Sequence, residues 1–318
     1  MNFFKFLMIK KINLNHSFIF FLLINLFSVV MFRLNYLDIS SSICLFLILT
    51  IGVSHGALDN IKGKKLLKLF NFERIYIFYI FYIFIAVCVI IIWSLLPATT
   101  LLVFLIVAAF HFGKEDTQFL INKKSYLIQL LYLLKGSLII LAPLFFHFDD
   151  TVKIFKSLLV VNENFYLFLE FLEEKKIIEI SIILSSLSSI FLFIDKFELK
   201  KFTIFFDYFS IIILNYYFTP LTAFTIYFCF LHSVRHSISL AIDLDENNLQ
   251  NGLKLFILKA LPLTLLTILI SIIVLLLLNE VNYIDDAILK LIFIGLASLT
   301  FPHILLEYFL EKNEKQTN

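Results

Sequence analysis

Apolar residues run along this chain in long stretches, not in alternation with polar ones. Most stretches are about 17 to 25 residues long, the length a helix needs to cross a hydrocarbon layer roughly 30 Å thick. Ten spans are predicted: 17–32, 39–60, 75–96, 97–112, 125–147, 176–194, 202–218, 220–241, 255–278 and 287–310. Pro97 and Pro220 mark tight turns within the third–fourth and seventh–eighth pairs. The stretch 148–175 is different. Its apolar residues (Val152, Phe155, Leu158, Leu159, then Phe165, Leu169 and Leu172) are spaced among charges, so this segment is expected to lie on the membrane surface. The first run is preceded by a long basic region and followed by no small-residue cleavage site, so it is expected to be retained rather than removed as a signal peptide. The fold class expected is all-α: a polytopic transmembrane helix bundle of about ten spans, forming a single integral-membrane domain over 1–318.

Composition agrees. The chain is 61% hydrophobic and 16% charged, more apolar surface than a water-soluble core of this length can bury. The net charge of +2, with no basic, aromatic-interleaved soluble stretch, gives no sign of a nucleic-acid partner. Cys44, Cys88 and Cys229 fall inside apolar runs without metal-type spacing and read as small buried hydrophobes. The 40 Phe residues accompany many Ile, Lys and Asn, a bias that an AT-rich genome explains as readily as an aromatic channel does.

Lys and Arg set the expected orientation. Lys5, Lys10 and Lys11, then Lys62, Lys64, Lys65, Lys68 and Arg74, then Lys114, Lys123 and Lys124, fall on one side. Lys196, Lys200, Lys201, Lys312 and Lys315 fall there too. The opposite side is poorer in Lys and Arg and carries Asp149-Asp150 and Asp285-Asp286. This bias puts both termini in the cytoplasm, across the cell (inner) membrane, and makes every even-numbered span run inward.

Five histidines then share one depth. His55, His111, His232, His236 and His303 all lie near the inner ends of even-numbered spans. Ionisable groups at membrane depth are costly and usually functional. His232 and His236 are spaced i, i+4, which puts both imidazoles on one helical face, where they can share an ion. No glutamate follows His232, which argues against a zincin-type protease. Asp59, Asp116 and Glu307 follow His55, His111 and His303 by four or five residues and are candidates to hold ligating rings in place. They can equally be the first polar residues past each span. Gly56 and Gly113 beside histidines allow close helix approach or room for a bound ion. An all-imidazole set suits iron, copper or zinc, and four histidines on Fe(2+) leave positions for O2 and a substrate double bond. His16, placed before the first span, and His147 are expected to be ordinary interfacial residues. Arg235 is expected to extend along apolar surface to the inner interface. Pro302 is expected to loosen its helix and aim His303 inward. Phe224, Tyr227, Phe228 and Phe230 either line a lipid-like substrate's path or simply pack.

The set His-Gly-Ala-Leu-Asp at 55–59, His-Phe-Gly-Lys-Glu-Asp at 111–116, His-Ser-Val-Arg-His at 232–236 and Pro-His at 302–303 resembles the Brp/Blh family of integral-membrane β-carotene 15,15′-dioxygenases. The motifs match in order from about 50 to 305, with Ser54 where proline is expected. The resemblance implies a non-haem iron oxygenase in which His55, His111, His232 and His236 bind iron, with no catalytic residues beyond these ligands. It implies cleavage of β-carotene by O2 into two all-trans-retinal molecules, and a link through retinal to a microbial rhodopsin. His303 is left as a fifth ligand, a supporting donor or a group that positions oxygen. The alternatives are a membrane transporter or binding protein for a carotenoid or lipid, and another histidine-metal membrane oxidase. A di-iron desaturase is disfavoured because no adjacent His-His pair exists.

Overall fold

A computed structural model describes residues 3–34, 38–120, 125–194 and 204–314. The described residues are helical throughout, with no strand among them. The helices are α1 (Phe3–Arg33), α2 (Ser41–Leu47), α3 (Asp59–Leu69), α4 (Tyr76–Leu95), α5 (Pro97–Glu115), α6 (Tyr126–Gly136), α7 (Leu138–Phe146) and α8 (Phe148–Ser157). They continue with α9 (Glu163–Glu174), α10 (Ile177–Ile194), α11 (Ile204–Tyr217), α12 (Pro220–Ile226), α13 (Val234–Leu244), α14 (Leu249–Asn279) and α15 (Ile284–Glu314).

Seven described helical stretches are long and apolar enough to cross a membrane: Lys5–Arg33, Ser41–Leu69, α4, α5, Tyr126–Phe146, α14 and Ile284–Asn313. The other three predicted spans are of a different kind. In α10 the apolar part is Ile177–Phe191. The 14 described residues of α11 follow residues 195–203, which lie outside the described part, as does the start of the span predicted at 202–218. The span at 220–241 is a continuous helical run that carries His232, Arg235 and His236. Only 11% of the residues in the apolar windows of α4 and α14 are buried, so these two helices turn most of their surface outward, as lipid-facing helices do.

Several helices extend beyond their apolar runs. The first run is the second part of α1, so His16 sits inside that helix, beside the Phe20 ring at 6.2 Å, and not before it. Lys62, Lys64, Lys65 and Lys68 lie on α3, not in a loop, because the backbone stays helical after the apolar residues end. Lys123, Lys124, Lys196, Lys200, Lys201 and Lys315 lie outside the described residues. His147 ends α7, with its Nε2 2.8 Å from the Asn215 carbonyl oxygen. Pro302 lies within α15, which continues past it. Pro97 and Pro220 start α5 and α12, where a missing N–H costs nothing.

The amphipathic segment became α8 and α9. Phe155, Leu158, Phe165 and Leu169 are buried in the main core, whereas Leu159 is exposed. Trp93, fully buried, donates its indole N–H to the Leu158 carbonyl at 2.9 Å and ties α4 to the end of α8. Helices α5 and α6 cross closely because both contribute glycine. A Cβ on Gly113 would stand 1.9 Å from the Tyr132 carbonyl oxygen, and one on Gly136 would stand 1.8 Å from that of Ala109. Cys44 and Cys229 are buried and, with Cys88, are free thiols.

Candidate metal centre

Two irregular stretches carry the first and third histidine motifs. After α2 the chain widens into a π-helix (Ile48–Gly52), then tightens into a 3-10 helix (Val53–Leu58) that holds His55. Between α12 and α13 a second π-helix (Tyr227–Ser233) holds His232. Such insertions are rare and concentrate at functional sites. The two stretches pack on each other, and the Ser233 hydroxyl donates to the Gly52 carbonyl at 2.9 Å. His111 lies near the end of α5, His236 on α13, and His303 with Glu307 on α15.

These elements bring the rings of His111, His232, His236 and His303 together. The His111 ring centroid is 5.4 Å from that of His232 and 5.5 Å from that of His303. His303 is 5.8 Å from His236. All four residues are buried. His55 is on the adjoining 3-10 helix, but its side chain lies outside the described residues.

Three of the rings meet a carboxylate at Nδ1. His232 Nδ1 is 3.3 Å from Asp116 Oδ1, His236 Nδ1 is 3.3 Å from Glu115 Oε2, and His303 Nδ1 is 2.8 Å from Asp59 Oδ2. An ionised carboxylate only accepts, so each Nδ1 carries the hydrogen and each Nε2 keeps its lone pair for a ligand. Each acid is held in turn. The Tyr227 hydroxyl donates to Asp116 at 2.6 Å, the Tyr82 hydroxyl donates to Asp59 at 2.9 Å, and the Gln118 amide donates to Glu115 at 2.7 Å.

Two of the candidate acids thus meet rings supplied by other elements. Asp116 meets His232 rather than His111 one turn before it, and Asp59 meets the ring of His303 on α15. For these two acids the partner comes from an element packed opposite. Glu307 sits on the other side of the rings, with Oε1 3.6 Å from His303 Nε2 and 3.9 Å from His236 Nε2. Glu115, Tyr82 and Gln118 were not singled out from sequence, and Tyr227, read there as a lining or packing aromatic, instead donates to Asp116. Glu115 had a signal, since it follows His111 at i+4 within the quoted motif; Tyr82 had none among so many aromatics.

Arg235 is corrected outright. It does not reach the interface but is 2% exposed, with Nη1 and Nη2 donating to the two Asp207 oxygens at 2.7 and 2.8 Å. Nη2 also donates to Ser17 Oγ at 2.6 Å. A buried carboxylate on α11 offers a guanidinium more than a distant interface does. The clamp joins α13 to α1 and α11 between the two histidines of the motif.

The donors suit a transition metal. His111, His303 and Glu307 each offer one ligand atom, all within 4.8 Å of one another. Donors at about 2.1 Å from a shared ion stand up to about 4.2 Å apart, so small inward shifts suffice. Imidazole with a single carboxylate is a set for iron, copper or zinc rather than calcium or magnesium.

Two cavities meet this cluster from different sides. One of about 260 Å³ is apolar; His111, His232 and His303 border it together with Tyr82, Phe112 and Phe228. Its outer wall comes from α4 and α14, the lipid-facing helices. Gly56 lines it with no neighbour closer to a would-be Cβ than Asp59 Oδ2 at 4.0 Å. The other cavity, of about 520 Å³, is bordered by Lys62, Glu115, His236 and Glu307 and extends to Glu311 and Asp243. His232 touches both.

The family described as Beta-carotene 15,15'-dioxygenase matches residues 46–311. A relative named Beta-carotene 15,15'-dioxygenase, from uncultured marine bacterium 66A03, is 29% identical over 278 residues, covering 84% of this chain and 92% of its own length. No solved structure matches the chain. Every histidine and acid of the cluster falls within the matched span, and by that match the chain belongs to the Brp/Blh-type Beta-carotene 15,15'-dioxygenase family.

Proposed function

We propose that this protein is a membrane oxygenase that cleaves the central 15,15′ double bond of β-carotene with O2 and yields two molecules of all-trans-retinal. The observation that carries the reading is a cluster of four buried imidazoles, three of them (His111, His232 and His303) at the wall of an apolar cavity. A long hydrocarbon polyene partitions into the bilayer, so a site reached between lipid-facing helices suits it. The metal is proposed to be Fe(2+), held by His55, His111, His232 and His236, with His303 and Glu307 at the same centre. Iron held by these residues would supply the redox chemistry that activates O2.

The chain's own groups have distinct tasks in this reading. Asp116, Glu115 and Asp59 fix the tautomers and aim of His232, His236 and His303. Phe112 and Phe228 border the cavity beside His232, with ring centroids 4.7 and 5.8 Å from it, and form an apolar surface for a polyene. The protein is proposed to sit in the inner membrane with both termini cytoplasmic and to supply retinal to a microbial rhodopsin.

Co-expression in a β-carotene-producing host, followed by chromatography, tests this. The expected result is loss of colour with appearance of retinal. Carotenoid bound to the purified protein but recovered intact would instead favour a carotenoid-binding or transport protein.

A further inference from the structure

Lys62 is a half-buried cation, its side chain 21% exposed, that the proposed reaction does not use. It projects from α3 into the polar cavity, with Nζ 2.8 Å from Glu307 Oε1 and 3.4 Å from His236 Nε2. The Nδ1 of His236 is turned to Glu115, so the nitrogen facing Lys62 is the one whose lone pair would take a metal. The Glu307 oxygen that accepts from Lys62 also lies 3.6 Å from His303 Nε2. An ammonium and a metal ion cannot both use these two donors.

We propose that the polar cavity is the loading route for the metal, and that Lys62 is an internal cation that the incoming ion displaces from Glu307 and His236. The proposal rests on the metal-centre reading and adds how that centre is filled. The cavity supports it. Acids (Glu115, Asp116, Asp243, Glu307 and Glu311) outnumber the bases Lys62, Lys65 and Arg235 along its wall. It favours a hydrated cation, whereas the apolar cavity opposite does not. Displacing Lys62 keeps the half-buried Glu307 paired at every stage, so its charge is never left alone. It also gives an ion and a hydrocarbon separate approaches to one centre.

The test is Co(2+) uptake by the full-length, metal-stripped protein in lipid nanodiscs, followed through cobalt's visible absorption. Lys62→Met and Lys62→Gln remove the competing charge; Gln keeps a hydrogen-bond donor toward Glu307 should the Met variant fold poorly. Negative coupling between the ammonium and the ion predicts uptake about tenfold faster and tighter in these variants. The rise in thermal midpoint on Co(2+) saturation is expected to exceed that of the wild type. Folded variants that take up Co(2+) no faster and no tighter than the wild type overturn the displacement while leaving the metal centre standing. A wild type that binds no Co(2+) overturns the centre itself.

Discussion

Asp116 and Asp59 each hold a histidine that their own helix does not supply, and each is held by a tyrosine, Tyr227 on the same π-helix as His232 and Tyr82 on α4. Such supporting acids set the basicity and direction of a ligating ring, and losing one costs about 10–100-fold in metal affinity. Asp116→Asn and Asp59→Asn are expected to weaken Co(2+) binding by that order while the protein stays folded, as measured by equilibrium titration. Asn keeps the shape, so a loss of folding rather than affinity would point to a structural role. The residue types were legible in the sequence: imidazoles and carboxylates at the ends of apolar runs are conspicuous because the bilayer penalises them. Which acid serves which ring was not legible, since pairing crosses between helices far apart in sequence. Arg235 shows the same limit. Its length suggested reach to the interface, and only the opposed Asp207 on α11 reveals why it stays inside.

At the scale of elements, the helical run from Pro220 to Leu244 carries two of the clustered histidines and is interrupted by a π-helix. Its π-helix packs against the π and 3-10 stretch that bears His55, and the Arg235–Asp207–Ser17 clamp fixes its far side. Removing one partner of a buried ion pair leaves a buried charge and costs about 3–5 kcal/mol. Arg235→Met is expected to lower unfolding stability by that amount, and adding Asp207→Leu to restore most of it, as read by thermal or denaturant unfolding. A double variant no better than the single would mean the arginine acts through something other than its pair. Hydropathy located these elements well where they are long and apolar, as in α4, α5 and α14. It overlooked helix that persists beyond the lipid-soluble part, as in α3, because backbone hydrogen bonding continues where side-chain hydropathy stops. It also smoothed over both π-helices, which add a residue without changing composition.

For the whole molecule, the arrangement is two-sided. An apolar cavity walled by α4 and α14 and a polar cavity behind α3 and α13 meet at one histidine cluster. If the apolar cavity holds the polyene, filling it must impair turnover without touching the metal. Thr264→Trp on α14 lines that cavity away from the rings. It is expected to lower kcat/KM for β-carotene roughly tenfold, about 1.4 kcal/mol, with metal content unchanged. Unaltered turnover would move the substrate elsewhere.

The most direct measurement is metal analysis of protein purified from iron-replete cells, wild type beside His232→Ala and His236→Ala. A single iron per chain is expected in the wild type, with its loss from both folded variants. A wild type without bound iron, or variants that keep it in full, would contradict a metal shared by these imidazoles.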